Sequence, residues 1–335
     1  MRSLQGFDMG IASKIRSSES STNYRAPTLP EGPPLPEPVP HYECPLTPSN
    51  SRASLSDAAD LVRDRLTRIV QENGLQRCYP QTKLERAIDR ARQIDYDELA
   101  RRWSIPKEMA YDLSSLALYD IALYCDDSGS MAFEENGERI DDLQVIVSKV
   151  AGIAALFDED GIVVRFMNSD QEGNGITQAS QAERLVKSIR YGGTTPLGTN
   201  LKRKVLDPFV VQQIYQNNLD KPVLVIIVTD GCPVGEPRQT LKSVIRNTVQ
   251  ICARSCACER MVGFQIAQVG RDQKAQQFLE EIDNDPDVGH LIDATSYYEL
   301  EHQEMLSKGV ELTPELWLVK MMLGGIDRSY DDVDE

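Results

Sequence analysis

The strongest constraint on the fold is an alternation in the second half of the chain between short apolar runs and longer segments of helical periodicity. Val223–Val228 is the clearest of these runs, because it consists only of Val, Leu and Ile. Such a run is typical of a strand that is covered on both faces, as in a parallel sheet. The candidate strands are 120–126, 162–167, 223–229, 262–269 and 290–294.

Helical patterns separate these candidate strands. Apolar residues recur at steps of three and four from Ile140 to Phe157, which predicts a helix with one buried face. Further helices are predicted over about 241–252 and 272–282. Strands that alternate with helices predict an α/β fold, with a doubly wound, mostly parallel sheet, right-handed crossovers and flanking helices.

The sequence is predicted to have four parts. Residues 1–53 form a Pro-rich tail, and 54–116 form an N-terminal helical segment that we expect to cap the core domain, with Trp103 as its anchor. The α/β domain spans 117–302. A C-terminal helix and an acidic tail occupy 303–335.

The tail contains nine of the eighteen prolines, all between Pro27 and Pro48. This composition buries too little apolar surface to offset the entropy of ordering, so we predict a disordered region with polyproline II character. Pro33, Pro34 and Pro36 belong to a run that could bind an SH3 or WW domain. A spacer without such a partner is the simpler interpretation.

Charge and length limit the classes of partner. The formal net charge of −16 argues against nucleic acid, because binding to a phosphate backbone requires a basic face. Residues 97–110 predict two short helices with the spacing of a helix-turn-helix, but acidic residues accompany the basic ones throughout. No apolar run is long enough for a membrane span.

The cysteine count and the N-terminal residues suggest a location. Seven cysteines, an odd number, favour reduced thiols over a disulfide framework. No apolar stretch follows the basic residues near the N-terminus, as it would in a secretory signal. We therefore expect a protein of the cytoplasm or the nucleus.

Three separated motifs carry hydroxyl and carboxylate oxygens. Asp126, Ser128 and Ser130 form the pattern D-x-S-x-S after the first candidate strand, Thr195 lies in a glycine-rich loop, and Asp230 follows the strand 223–229. Ligands of doubly wound sheets bind beyond the carboxyl ends of the strands, so we expect both aspartates at one edge. Hard oxygen donors favour Mg²⁺, Mn²⁺ or Ca²⁺ over zinc or copper.

The order and spacing of these motifs resemble the metal-ion-dependent adhesion site (MIDAS) of von Willebrand factor type A (vWA) domains, over about residues 118–300. The resemblance implies hydroxyl ligands from the serines and the threonine, and aspartates that bind directly or through water. The implied metal-binding residues are Asp126, Ser128, Ser130, Thr195 and Asp230. Many relatives have glycine at the position of Thr194. The match therefore leaves Thr194 as the alternative to Thr195 for the threonine ligand.

The same resemblance leaves two neighbouring features open. Asp127 lies at a variable position of the motif and need not be a ligand. In integrins the family's domains couple the metal to a sliding C-terminal helix; here the segment 313–323 is either such an element or a packed terminal helix.

Only two of the five implied ligands are charged, and the resemblance implies that aspartates bind directly or through water, so a bound ion would keep an open coordination position that attracts a carboxylate. The predicted function is divalent-cation-dependent binding of a protein partner that presents an Asp or Glu to the metal. The alternative is a non-enzymatic scaffold that recruits partners through its Pro-rich tail, with the metal only stabilising the fold.

Enzymatic alternatives fit the sequence poorly. A haloacid-dehalogenase-type phosphatase needs a second carboxylate where Ser128 stands, and the serine does not lie in G-x-S-x-G. Cys252 and Cys256 continue the apolar face of a helix, and no second ligand pair follows at zinc-site spacing. Glu134 and Glu135 are expected to be solvated loop carboxylates, with a second cation site as the alternative.

Overall fold

The computed structural model describes residues 55–256 and 258–330. The whole of the predicted Pro-rich tail, including Pro33, Pro34 and Pro36, therefore lies outside the described residues, as does the end of the acidic tail. The described part is an α/β fold in which helices flank a six-stranded sheet.

The sheet has the strand order β3-β2-β1-β4-β5-β6. All neighbouring strands are parallel except β3, which is antiparallel to β2. The prediction of a mostly parallel sheet is therefore confirmed. The strands are β1 (Asp120–Cys125), β2 (Ile162–Phe166), β3 (Glu172–Ile176), β4 (Val223–Thr229), β5 (Val262–Gln268) and β6 (Ile292–Thr295).

Helices precede and connect these strands. Before the sheet lie α1 (Leu55–Glu72), α2 (Gln81–Ala91), α3 (Tyr96–Trp103) and α4 (Lys107–Asp112). Between β1 and β4 lie α5 (Gly129–Phe133), α6 (Glu138–Phe157), α7 (Ala179–Ser188), α8 (Leu197–Leu201), a π-helical stretch (Lys202–Val211) and α9 (Gln212–Tyr215). The remaining helices are α10 (Thr240–Cys256), α11 (Gln273–Asp283), α12 (Tyr298–Ser307) and α13 (Pro314–Leu323).

The centre of the sheet is buried on both faces. Every residue of β4 and β5 is buried, as the apolar sequence of Val223–Val228 predicts. Helix α6 contacts β1 and β2, and the predicted stripe residues Leu143, Val147, Val150 and Phe157 are buried. These helices and strands form where the sequence predicts them, because their hydrophobic periodicity is strong.

Two elements differ from the sequence prediction. Strand β3 was not predicted, since its sequence contains two glycines and an asparagine, which have low strand propensity. It forms because Gly173 allows a close approach: a Cβ there would collide with the side chains of Ile176 and Leu185. The last strand begins at Ile292 instead of 290, because Gly289–Leu291 forms a 3₁₀ turn.

The N-terminal helices pack on the α/β part. The two short helices predicted within 97–110 are present as α3 and α4, and Ser104 ends α3 in a left-handed conformation with φ 49°. Trp103 is buried, and the Lys149 ammonium of α6 lies 5.5 Å from its ring centroid. This contact joins the helical segment to the helix that follows the D-x-S-x-S motif.

The C-terminal helix α13 is a packed helix in this structure. Trp317 is fully buried, and its indole N–H donates to the Ser296 carbonyl at 3.0 Å. Among the described residues, no helix is both long and apolar enough to cross a membrane.

An ion pair connects α1 to the end of the described chain. The Arg68 guanidinium donates to Asp327 Oδ2 at 2.6 Å, and the Ser329 hydroxyl donates to Oδ1 at 2.7 Å. Burial alone raises the pKa of the Asp327 carboxyl, but the hydrogen bonds from Arg68 and Ser329 outweigh it, so its pKa is lowered. The folded state therefore favours the charged carboxylate.

The substitution Asp327→Asn should lower the free energy of unfolding at pH 7 by about 2 kcal/mol, since it removes charge-assisted hydrogen bonds. A lowered folded-state pKa contributes stability above the unfolded-state pKa of about 4, and this stability is lost as the pH falls. Urea denaturation should therefore show a difference between parent and variant at pH 7 that narrows below about pH 4.

The half-buried Arg63–Glu85 pair provides the control for this experiment, since the Glu85 side chain is 35% exposed whereas that of Asp327 is 2% exposed. Glu85→Gln should change stability much less than Asp327→Asn, because solvent screens the Glu85 carboxylate more than the buried Asp327 carboxylate. Equal losses in the two variants, or a difference that does not depend on pH, would contradict a stabilising role for the buried Asp327 carboxylate.

Candidate functional site

The first predicted site residue, Asp126, is fixed by the pairing of β1 with β4. Cys125 lies opposite Val228 in this parallel pair, so the next residue of each strand arrives at the same edge. The Asp126 amide donates to the Val228 carbonyl at 2.8 Å, and the Thr229 hydroxyl donates to Asp126 Oδ2 at 2.7 Å. The other carboxylate oxygen accepts the Ser128 amide at 2.8 Å.

A chain of hydroxyl groups leads from this turn to the second aspartate. The Ser128 and Ser130 hydroxyl oxygens lie 3.1 Å apart, and the Ser130 hydroxyl donates to Asp230 Oδ1 at 3.0 Å. Four of the five predicted metal-binding residues are therefore linked by hydrogen bonds. They lie at the carboxyl ends of adjacent strands, at the point where the strand order reverses.

The fifth predicted residue, Thr195, lies on a loop that is attached to the same turn. The Gly192 amide donates to the Asp127 carbonyl at 2.8 Å, and the Gly129 amide donates to the Gly193 carbonyl at 3.2 Å. Gly193 has φ 96°, and a Cβ at this position would collide with Asn168, so glycine is required here.

The structure also separates the two threonines of this loop. Thr195 is buried and Thr194 is exposed. A buried hydroxyl at this edge fits the ligand role better than an exposed one. Among the described contacts, the Thr195 side chain is not hydrogen-bonded to the other four predicted residues, so its part in the site stays a prediction.

The two aspartates of the site affect each other electrostatically. Burial, followed by the charge of Asp230, raises the pKa of Asp126 to about 6, although hydrogen bonds from Ser128 and Thr229 oppose the shift. Burial also raises the pKa of Asp230, and the hydrogen bond from Arg139 opposes this. A divalent cation would relieve the repulsion between these carboxylates, and their hard oxygen donors fit Mg²⁺, Mn²⁺ or Ca²⁺.

The part of the chain that the structure describes contains no group of three or more His, Cys, Asp or Glu side chains that could hold a metal ion. The predicted site uses only two carboxylates and depends on hydroxyl groups for the other ligands. Cation binding at this edge therefore stays a prediction.

Asp127 has a structural role. It is fully buried, and its carboxylate oxygens accept the backbone amides of Asn168 and Ser169, both at 2.7 Å. It thereby attaches the end of β1 to the loop that follows β2. Its carboxylate oxygens are occupied by amide donors, and the expectation that it need not be a ligand stays a prediction.

Arg139 is the residue that sequence reasoning missed. It lies in the first turn of α6, is 3% exposed, and donates from Nη1 to Asp230 Oδ2 at 2.6 Å. Its other nitrogens bind Glu135 Oε1 at 2.6 Å and Glu134 Oε2 at 2.9 Å. Glu134 and Glu135 are thus ion-paired with Arg139, while the Glu134 side chain stays 53% exposed, as expected of a solvated loop carboxylate.

One part of this arrangement had a signal in the sequence. Glu135 and Arg139 are four residues apart, a spacing that indicates an ion pair along a helix, although Glu135 precedes α6 and reaches Arg139 from the turn before the helix. No local pattern indicates the contact of Arg139 with Asp230, because the two residues are 91 positions apart and meet only through the sheet.

Two apolar side chains are exposed beside these motifs. Phe133, at the end of α5, is 85% exposed, and Val234 is 54% exposed. The Val234 amide donates to the Thr195 carbonyl at 3.0 Å, and a Cβ on Gly129 would lie 3.7 Å from the Phe133 ring. Both side chains therefore belong to segments that build the predicted site.

No protein-family model matches the chain, and no curated protein sequence matches it. The fold and the site define the protein as an α/β protein with a mostly parallel six-stranded sheet and a cluster of buried oxygen donors at its carboxyl edge.

The substitution Asp127→Asn should lower the free energy of unfolding by about 2 kcal/mol. Its side-chain NH₂ group would face the amide N–H of Asn168 or Ser169, so one of these two hydrogen bonds would be lost. Asp170→Asn, in the same loop, is the control, since its side chain is 89% exposed. Denaturation in urea should show the loss only for Asp127→Asn. Equal stability of the two variants would mean that the loop is held by other contacts.

Proposed function

We propose that the protein binds a partner through a MIDAS-type site, in which a divalent cation accepts an acidic side chain of the partner. The observation that carries the proposal is the hydrogen-bonded cluster of Asp126, Ser128, Ser130 and Asp230 at the carboxyl edge of a mostly parallel sheet. This arrangement supports a vWA-type domain, the family that the sequence motifs resemble.

The residues that would hold the cation are Asp126, Ser128, Ser130, Thr195 and Asp230. When bound, Mg²⁺, Mn²⁺ or Ca²⁺ would supply a positively charged coordination position that favours a carboxylate oxygen. The protein holds its own carboxylates in place before binding: Thr229 and Ser128 orient Asp126, and Ser130 orients Asp230. Such preorganisation reduces the entropic cost of binding.

The exposed side chains of Phe133 and Val234 support a protein as the partner. Burial of one such side chain contributes about 1.5–3 kcal/mol, and aromatic residues are enriched among the side chains that dominate binding energy. We therefore propose that the partner presents an Asp or Glu next to apolar residues.

Other expectations from the sequence remain predictions. The absence of catalysis and of nucleic-acid binding rests on motifs and on net charge, and the location in the cytoplasm or the nucleus rests on the cysteine count. The alternative in which the Pro-rich tail recruits partners concerns residues that the structure does not describe.

Cation binding can be tested by thermal unfolding of the full chain. Saturating Mg²⁺, Mn²⁺ or Ca²⁺ should raise the melting temperature, because a ligand that binds only the folded state stabilises it by about 2.7 kcal/mol at a hundred times its Kd. Asp126→Ala should abolish this rise.

Asp120→Ala is the matched control for cation binding, since Asp120 lies at the opposite end of the same strand and is exposed. It should retain the full response to the cation. A rise in melting temperature that persists in Asp126→Ala, or one that no cation produces in the parent, would contradict the proposed site.

Partner recognition can be tested with a displayed peptide library that is selected on the protein in Mg²⁺ and eluted with a chelator. The recovered peptides should be enriched in Asp or Glu beside apolar residues. Phe133→Ala should weaken their binding about tenfold without lowering stability, because the ring is exposed in the free protein and buried in the complex.

Tyr215→Ala is the control for this selection. Tyr215 is also an exposed aromatic residue, but it precedes β4 and lies away from the carboxyl ends of the strands. Its substitution should leave peptide binding unchanged. Peptides without acidic residues, or equal effects of the two substitutions, would contradict the proposed surface.

A further inference from the structure

The protein places a cation of its own against the proposed metal-binding residues. Arg139 Nη1 donates to Asp230 Oδ2 at 2.6 Å, while the other oxygen of this carboxylate accepts the Ser130 hydroxyl. Both charged groups are buried, with 3% of Arg139 and 1% of Asp230 exposed. Their interaction is therefore screened much less than that of a surface ion pair.

Arg139 is held in this position by the turn before α6 and by the loop after β5. Glu135 accepts from its Nε at 3.0 Å and from its Nη2 at 2.6 Å. Glu135 also accepts the Arg271 amide at 3.0 Å, which connects it to the loop after β5. A Cβ on Gly270, which has φ 74°, would collide with the guanidinium, so this loop passes directly over Arg139.

The two aspartates of the proposed site consequently differ in charge compensation. Asp126 accepts hydrogen bonds from the neutral groups of Ser128 and Thr229. Asp230 instead forms an ion pair with the positively charged Arg139. An incoming divalent cation thus meets one carboxylate without a basic partner among the described contacts, and one carboxylate whose positive partner repels the cation.

We infer that Arg139 sets the affinity of the site for divalent cations by competing for Asp230. This inference rests on the proposed cation site and adds a specificity-determining residue to it. Arg139 lowers the affinity of the free protein for the cation, so that an acidic group of the partner is needed to balance the charge. Glu135 acts through Arg139 as a positioning residue.

A purely structural role for Arg139 makes a different prediction. If the guanidinium only fastened α6 to the end of β4, its loss would disorder the edge and weaken cation binding. If it competes for Asp230, removal of its charge strengthens cation binding, and a lysine that keeps the charge does not.

The experiment is calorimetric titration of MgCl₂ into the full chain of the parent, Arg139→Gln and Arg139→Lys, with circular dichroism to show that each is folded. Arg139→Gln should bind Mg²⁺ at least about tenfold more tightly, a gain of about 1.4 kcal/mol, since it removes a buried unit charge that repels the cation and is screened less than a surface charge. Arg139→Lys should stay within about threefold of the parent.

A second variant covers the case in which Arg139→Gln does not fold, because it leaves Asp230, Glu134 and Glu135 without their cation. The double variant Glu135→Gln with Arg139→Gln replaces the guanidinium and one of its carboxylate partners by neutral amides, so one unpaired carboxylate fewer remains. It should still bind Mg²⁺ more tightly than the parent, because Arg139 contacts Asp230 directly and Glu135 does not.

The outcomes separate this inference from the proposed function. If the parent binds Mg²⁺ and the folded variants without Arg139 bind it equally or more weakly, the competition is refuted while the cation site stands. Equal tightening by Gln and Lys would also refute it, because the charge would then not matter. If neither the parent nor any folded variant binds a cation, the proposed function fails together with the inference.

Discussion

The parallel pairing of β1 with β4 is the interaction on which the rest of the structure depends. It joins Asp126 to Thr229, two residues that are 103 positions apart, and it brings both site aspartates to one edge of the sheet. The pairing is stable because β4 is apolar and buried along its whole length. Its one polar side chain, that of Thr229, lies at the end of the strand. The apolar strands thus position a polar edge.

At that edge, the protein buries the carboxylates of Asp126, Asp127 and Asp230. Neighbouring groups stabilise each of them by hydrogen bonds or an ion pair. Backbone amides stabilise Asp127, hydroxyl and amide groups stabilise Asp126, and Arg139 stabilises Asp230. These are separate solutions to the same desolvation cost. Only the contact of Arg139 with Asp230 introduces a full positive charge. Arg139 is therefore expected to change the affinity for a cation, whereas Asp127 is expected to change the stability of the fold.

Much of the fold can be predicted from the sequence because its periodicity is strong. The α/β class, strands β1, β2, β4 and β5, and the long helix α6 all follow from apolar runs and helical spacing. Strand β3 could not be predicted, since Gly173 and its neighbours favour a strand only when β2 offers an edge and Leu185 lies against it. The strength of tertiary pairing overrides local propensity there.

The sequence by itself determined which oxygen donors follow which strands, because D-x-S-x-S and the aspartate after Val223–Thr229 are local features. Only the tertiary structure decided which charges accompany them. Arg139 reaches Asp230 because α6 starts beside the end of β4, and Phe133 is exposed although Asp127 and Ser128 before it are buried. Electrostatic contacts act through space, so residues far apart in sequence leave no pattern that reveals them.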